Sequence, residues 1–318
     1  MARYIDPFTD TGFKIIFGKE NQSEEILRGF LNELFAGQPL FKEITQVSYI
    51  NSERVRENAK GKTIIHDVMC KTQGGHRFIL EMQKGKKDDF VYRSVYYTYR
   101  GVTDQVQMSS KENKQGFKFL PVTSVFMCDF DVNGLEKKLV SHFMAQDTET
   151  GFILDVGVRS AYIQLPRFDK KTWEECESNF DKWIYILKNM YKLKEFPEIT
   201  RKDEVFSRLE RVANYAALSE DEKIAYEADL KWASEYEEEI ATAKREAAHE
   251  GRIEGLAEGR AEGRAEGRAE GRAEGRAEGV LEGKWETARI LFKKGMDLPF
   301  IEEVTGIPQS DLKNTLLS

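Results

Sequence analysis

Cysteine is scarce in this chain. Its three cysteines, Cys70, Cys128 and Cys176, are far apart and odd in number. That excludes a disulfide framework, and no C-x-x-C spacing offers zinc or redox chemistry. We read them as reduced, buried thiols of a cytoplasmic protein. Residues 1–10 hold no apolar stretch of the kind a signal peptide needs. No apolar run approaches the ~20 residues of a membrane-spanning helix. Positive charge is not in excess either: the net charge is −7. The field of the whole chain is therefore not that of a nucleic-acid binder, which leaves only local basic patches for such a role. Neither a Ser/His/Asp triad nor a phosphate-cradling P-loop is present.

What is present fits a globular protein. The 318 residues are 40% hydrophobic and 11% aromatic, enough for one large domain or two ordinary ones. Ile26, Leu27, Phe30, Leu31 and Leu34 follow helical spacing and predict a helix over 24–35, capped by Ser23. Strand-like runs follow at about 44–50, 63–71 and 77–84, with Gln73-Gly74-Gly75 turning the second into the third. An aromatic-rich helix is expected over about 88–108, then strands near 122–130, 138–145 and 152–165. From residue 170 the pattern turns helical, and Ser219 with Glu222 has capping-box spacing. We expect an α/β fold, a mixed sheet flanked by helices, followed by a helical C-terminal region. The boundaries expected are a 1–200 domain, a 201–249 helical region, a 250–283 repeat arm and a 284–318 helical segment.

The repeat arm is unusual. Nine glycines recur at every fourth residue from Gly251 to Gly283, around a central Ala-Glu-Gly-Arg tetrad. In a lone helix they would cost on the order of 9 kcal/mol relative to alanine. Like charges also meet at i,i+4, which does not help. The arm is either a flexible spacer or a helix supported by its flanks and by packing against another copy, which makes a homo-oligomer through the C-terminal arm an expected partner. Each tetrad drifts about 40° around a helix, so the small face spirals and encodes no heptad coiled-coil seam. Beyond it, 297–305 and 310–317 read as a small helix-turn-helix around Gly306. With Asp311 and Lys313 on its second helix, the pair suits packing better than reading DNA.

Chemistry concentrates in the hairpin. Asp67, Glu81 and Gln83 are polar residues set in apolar strands. Alternation points Glu81 and Gln83 the same way, with Met82 opposite. Gly74 lies midway between Asp67 and Glu81, so a loop centred there sets the two carboxylates face to face, with Cβ atoms ~5 Å apart. Two such carboxylates repel unless a cation lies between them, and Mg²⁺ or Mn²⁺ prefers oxygen ligands of this kind. A metal there would activate water and stabilise charge on a scissile phosphate, with Gln83 orienting the water or a phosphate oxygen. Lys84 has the wrong strand parity for the same face, and His66 lies opposite Asp67. The bland alternative is an edge hairpin with solvent-facing polar residues.

The series Asp10-Thr11-Gly12-Phe13-Lys14-Ile15-Ile16-Phe17-Gly18, Phe30-Leu31-Asn32, Asp67-Val68-Met69-Cys70 and Phe78-Ile79-Leu80-Glu81-Met82-Gln83 resembles the Rpn family of recombination-promoting nucleases and transposases. That family carries the PD-(D/E)XK nuclease fold. The likeness continues through Arg93, Tyr96, Tyr97, Asp181-Lys182-Trp183 and the Glu-Gly-Arg-rich tail. It implies Mg²⁺-dependent DNA hydrolysis linked to recombination or transposition, with Asp67 and Glu81 as metal ligands. Gln83 stands where the wider fold has lysine, as it commonly does in this narrower family. By the same resemblance Glu25 on the first predicted helix is a further candidate metal ligand. Asp10 and Arg93 are candidates for contact with DNA, against the plainer readings of helix cap and ion pair. The alternative function is a non-catalytic DNA-binding or oligomerising scaffold that keeps the fold.

Overall fold

The computed structural model describes residues 2–50, 67–112 and 119–316. The chain divides into two compact units, Met1–Ser234 and Glu235–Ser318. The first opens with two helices, α1 (Asp10–Gly18) and α2 (Glu24–Phe35). Three strands follow, β1 (Val47–Tyr49), β2 (Val68–Thr72) and β3 (Arg77–Gln83), then the long helix α3 (Phe90–Glu112). Strands β4 (Val122–Cys128), β5 (Val140–Met144) and β6 (Val158–Gln164) complete a six-stranded mixed sheet in the order β1-β2-β3-β4-β6-β5. Helices α4 (Asn179–Asn189) and α5 (Glu204–Val212) come next, and α6 (Glu220–Lys293) begins in this unit.

The expected elements form where the periodicity placed them, with shorter strands at several ends. Residues 63–66 of the second expected strand, His66 included, lie outside the described residues. One detail differs. The Ser23 hydroxyl does not cap α2; it donates to the carbonyl of Ile15 at 2.9 Å. Buried Ser23 satisfies the end of the preceding helix instead, while Glu24 Oε1 accepts from the Asn21 amide at 2.6 Å. At α6 the capping box expected at Ser219 and Glu222 forms with both reciprocal bonds.

The two faces of the sheet bury different partners. Phe78, Leu80, Val125 and Ile163 join the main core, built with α1, α2, α4 and α5 around Phe17, Phe30 and Trp183. The other face is covered by α3, the crossover between parallel β3 and β4. A right-handed helical crossover is what parallel neighbours require. Its seat is tight at Gly101, where a Cβ would lie 2.7 Å from Ile79 Cδ1 and 3.1 Å from Val122 Cγ1. Near its start, Ser94 Oγ and Tyr162 Oη share a hydrogen bond of 2.7 Å.

The first unit takes in residues beyond 200 because their apolar side chains belong to the same core. Phe206, Leu209 and Tyr226 are buried in it. Tyr226 Oη accepts from the Asp6 amide at 2.6 Å, and Asp229 Oδ2 accepts from the Thr11 amide at 2.6 Å. In the second unit the whole repeat, Gly251 to Gly283, is α-helical within α6. Helices α7 (Leu298–Thr305) and α8 (Gln309–Leu316) close a small separate core around Ala288, Ile301, Ile307 and Leu312. Gly306 ends α7 in the left-handed conformation, φ 69°.

Candidate active site

The β2–β3 hairpin is centred on Gly74. Val68 pairs with Leu80, Met69 with Ile79 and Cys70 with Phe78. Continued by one residue, that register sets Asp67 against Glu81. Asp67 stands just before β2, and its Oδ2 accepts the backbone N–H of Met82 at 2.8 Å. This bond fixes the carboxylate at the end of the hairpin, beside Glu81 rather than turned to solvent. Glu81 itself is only 3% exposed. Alternation puts Glu81 and Gln83 on the α3 side of β3, while Met82 packs against the main core.

The electrostatics follow from that closeness. Burial pushes the Asp67 carboxyl up to about 7, and the negative charge of Glu81 pushes the same way; the Met82 N–H opposes them. Asp10 adds to the rise and Lys14 reduces it, so both side chains of α1 lie within electrostatic reach of Asp67. The helix is held over β2 by its C-terminal turn, where a Cβ on Gly18 would lie 3.1 Å from Val68 Cγ2. Asp10 and Lys14 share one face of α1 at i,i+4 and form an ion pair of 2.7 Å. The cap of α1 is Thr9, whose hydroxyl accepts from the Gly12 amide at 3.0 Å. Asp10 is therefore not the cap; its carboxylate is held by Lys14.

On the other flank, Arg93 of α3 donates to Tyr97 Oη at 2.8 Å, with its guanidinium 5.6 Å from the Tyr97 ring centre. That hydrogen bond favours its charged form, as do the charges of Asp89 and Glu81. Glu81 thus has Asp67 on one side and Arg93 within electrostatic reach on the other. Glu25 is placed differently. Its carboxylate meets Arg208 Nε of α5 at 2.6 Å. Gln83 ends β3 half-buried, paired in register with Cys128. The residue missed by reading the sequence is Lys14. Its spacing from Asp10 was the available signal, but nothing local says that this face of α1 meets the hairpin.

Two carboxylates, Asp67 just before β2 and Glu81 on β3, are the candidate oxygen donors. Among the described residues no three His, Cys, Asp or Glu side chains converge into a ready cage. A pair suits Mg²⁺, which keeps several waters and is held by one or two carboxylates together with substrate phosphate oxygens. The crowding that raises Asp67 is what a cation between the two would relieve, so the residues present fit a divalent metal.

Compared with known proteins, residues 7–243 match the sequence model of a family described as PD-(D/E)XK nuclease family transposase. That span takes in α1 through the first part of α6, and with it Asp10, Asp67, Glu81, Gln83 and Arg93. The mixed six-stranded sheet with helices on both faces is consistent with the nuclease-like α/β fold of this family. No curated protein and no solved structure matches the chain.

Proposed function

Because the chain belongs to the PD-(D/E)XK nuclease family transposases, we propose that it hydrolyses DNA phosphodiester bonds in a divalent-metal-dependent reaction that serves recombination or transposition. The observation that carries this reading is the pairing of buried Glu81 with Asp67, pinned by the Met82 amide. Asp67 and Glu81 are the metal-holding residues. Mg²⁺ or Mn²⁺ bound there would supply a more acidic water and offset negative charge gathering on the phosphate.

The protein residues do the rest. The Met82 N–H holds the Asp67 carboxyl group in place at the end of the hairpin. Gln83, on the face of Glu81, orients a water or phosphate oxygen by hydrogen bonding and carries no charge of its own. Arg93, fixed by Tyr97, offers a permanent positive charge to a DNA phosphate at the same end of the sheet. Asp10 keeps Lys14 close to the carboxylates and adds an acidic group to the metal's surroundings. The arm of α6 supports self-association, since its small residues allow a second copy to approach closely. Three buried free thiols and the absence, among the described residues, of any helix long and apolar enough to span a membrane support a cytoplasmic location.

The test is purified full-length protein with supercoiled plasmid and Mg²⁺, beside the Asp67→Ala and Glu81→Ala variants. Nicking by the wild type that both variants lose is expected. Undiminished nicking by both would remove the site; DNA binding without cleavage by the wild type would favour a non-catalytic scaffold.

A further inference from the structure

Helix α3 has two unlike faces. The inner one, with Phe90, Ser94, Thr98 and Gly101, is buried against the sheet. The outer one exposes Tyr92 (81%), Val95 (48%), Tyr96 (55%) and Tyr99 (56%). Their spacing, i, i+3, i+4 and i+7, makes one continuous stripe about 100° wide. A helix already seated on its sheet has no need of large apolar groups on its far side, and an exposed stripe of this kind marks an interaction surface.

Composition and position say what covers it. Three of the four side chains are tyrosines, flat rings with few rotamers, rather than the aliphatic residues of a helix-packing seam. Arg93 flanks the stripe, about 60° around the helix from its edge at Tyr96, and donates to Tyr97 Oη at 2.8 Å. Residues 84–100 carry Lys84, Lys86, Lys87, Arg93 and Arg100 against Asp88 and Asp89. Arg100 is engaged by Asp104 at 3.0 Å, so four cations less two acids leave +2 here, in a chain whose net charge is −7. Positive charge interleaved with aromatic rings is the arrangement that holds single-stranded nucleic acid, the cations following the phosphates and the rings stacking on the bases. A duplex keeps its base faces covered and has nothing to stack on such rings.

We propose that the outer face of α3 is a stacking track for unpaired nucleotides, so that the substrate engaged at the site is single-stranded or locally melted DNA. The inference rests on the nuclease reading for its choice of occupant. Tyr92, Tyr96 and Tyr99 stack on successive bases, and Arg93 flanks the track.

The test uses the full chain in EDTA, so that binding is read without cleavage. Fluorescence anisotropy compares a labelled oligothymidylate with a duplex of equal length. The variants are Tyr92→Ser/Tyr96→Ser/Tyr99→Ser and the matching triple Phe variant. The Ser variant is expected to bind oligothymidylate at least about tenfold more weakly, with duplex binding unchanged, while the Phe variant binds like wild type. Should the triple Ser variant fail to fold, Tyr92→Ser alone carries the test, with a several-fold loss expected. Unchanged oligothymidylate binding in the Ser variant overturns the track. So does a Phe variant as weak as the Ser variant, or a Ser variant that loses only self-association in sedimentation velocity, which marks a protein contact. Ring-dependent binding by a wild type that leaves plasmid uncut overturns the nuclease reading and not the track; nicking with ring-independent binding does the reverse.

Discussion

Asp67 Oδ2 accepts the Met82 amide hydrogen at 2.8 Å, one residue beyond Glu81 in the facing strand. The fold therefore holds two acids together at a cost to itself. Asn at 67 has nearly the same shape and keeps an oxygen to accept that N–H, but carries no charge. Asp67→Asn is expected to abolish cleavage, a loss larger than the roughly 10–100-fold that changes outside the metal ligands bring. The same change should raise the melting temperature of the metal-free protein by a few degrees. The sign depends on pH. The folded carboxyl titrates at about 7, against 3.8 when unperturbed. The folded state holds the proton more tightly, so this group's contribution is lost as pH rises from about 4 to 7. The gain from Asn should be largest at pH 8 and less than half as large at pH 5. Calorimetry in EDTA at both values checks it; a variant less stable than wild type at pH 8 refutes the account.

Asp10 and Glu25 compete for the place of the helical acid beside the carboxylate pair. Asp10 acts on Asp67, whereas Glu25 is engaged by Arg208 at 2.6 Å. Asp10→Asn is expected to slow plasmid nicking by about tenfold or more, within the range for groups surrounding a metal's ligands. Glu25→Gln should leave it within about threefold and lower stability by no more than about 1 kcal/mol, the scale of a partly exposed ion pair. The opposite ranking in nicking assays would return the role to Glu25.

How much of this was legible depends on the range of the interactions. The hairpin register was, because strand alternation and a loop centred on Gly74 are local constraints that admit one pairing of Asp67 with Glu81. Asp10 and Lys14 were legible as helix neighbours but not as neighbours of Asp67, because the packing of α1 on β2 joins residues some fifty positions apart. Ser23 looked like a cap by type, yet a hydroxyl takes whichever buried acceptor is in reach, and Ile15 O is. The extension of the first unit to Ser234 was hidden for the same reason: Phe206 and Leu209 declare an apolar face, not which core receives it. The repeat was balanced between spacer and helix because glycine cost and flanking helices pull opposite ways.

His76 sets the acid limit expected of the first unit. Its Nε2 lies 2.8 Å from Thr123 Oγ1 and its ring stacks on Phe78 at 4.4 Å. Burial, then the charge of Arg159, pulls its pKa down to about 4, with Asp155 opposing. The unfolded chain takes up the proton more readily, so the stability held above pH 6.5 is lost as pH falls toward 4, by at most about 1.4 kcal/mol per pH unit. Urea unfolding at pH 7 and pH 4.5 should show His76→Gln losing less on acidification than wild type. Equal losses in the two proteins would assign the acid sensitivity elsewhere.

The same substitution, glycine to alanine, is expected to act with opposite signs at two places. At Gly12 a Cβ would lie 2.1 Å from the carbonyl oxygen of Asp6 and 2.6 Å from Thr9 Oγ1. Backbone cannot rotate aside as a side chain can, so α1 must shift, and with it Asp10 and Lys14. Gly12→Ala should cost 3 kcal/mol or more, at the upper end of overpacking, and weaken nicking in whatever fraction folds. At Gly263, Gly267 and Gly271 nothing lies within 4 Å of the added methyl. Alanine there should stabilise α6 by roughly 1 kcal/mol per site through helix propensity. Circular dichroism melts of the full chain separate the cases. If the repeat substitutions instead lower stability and sedimentation shows smaller assemblies, the glycines are kept small by a second copy lying against them, and the arm is an interface rather than a spacer.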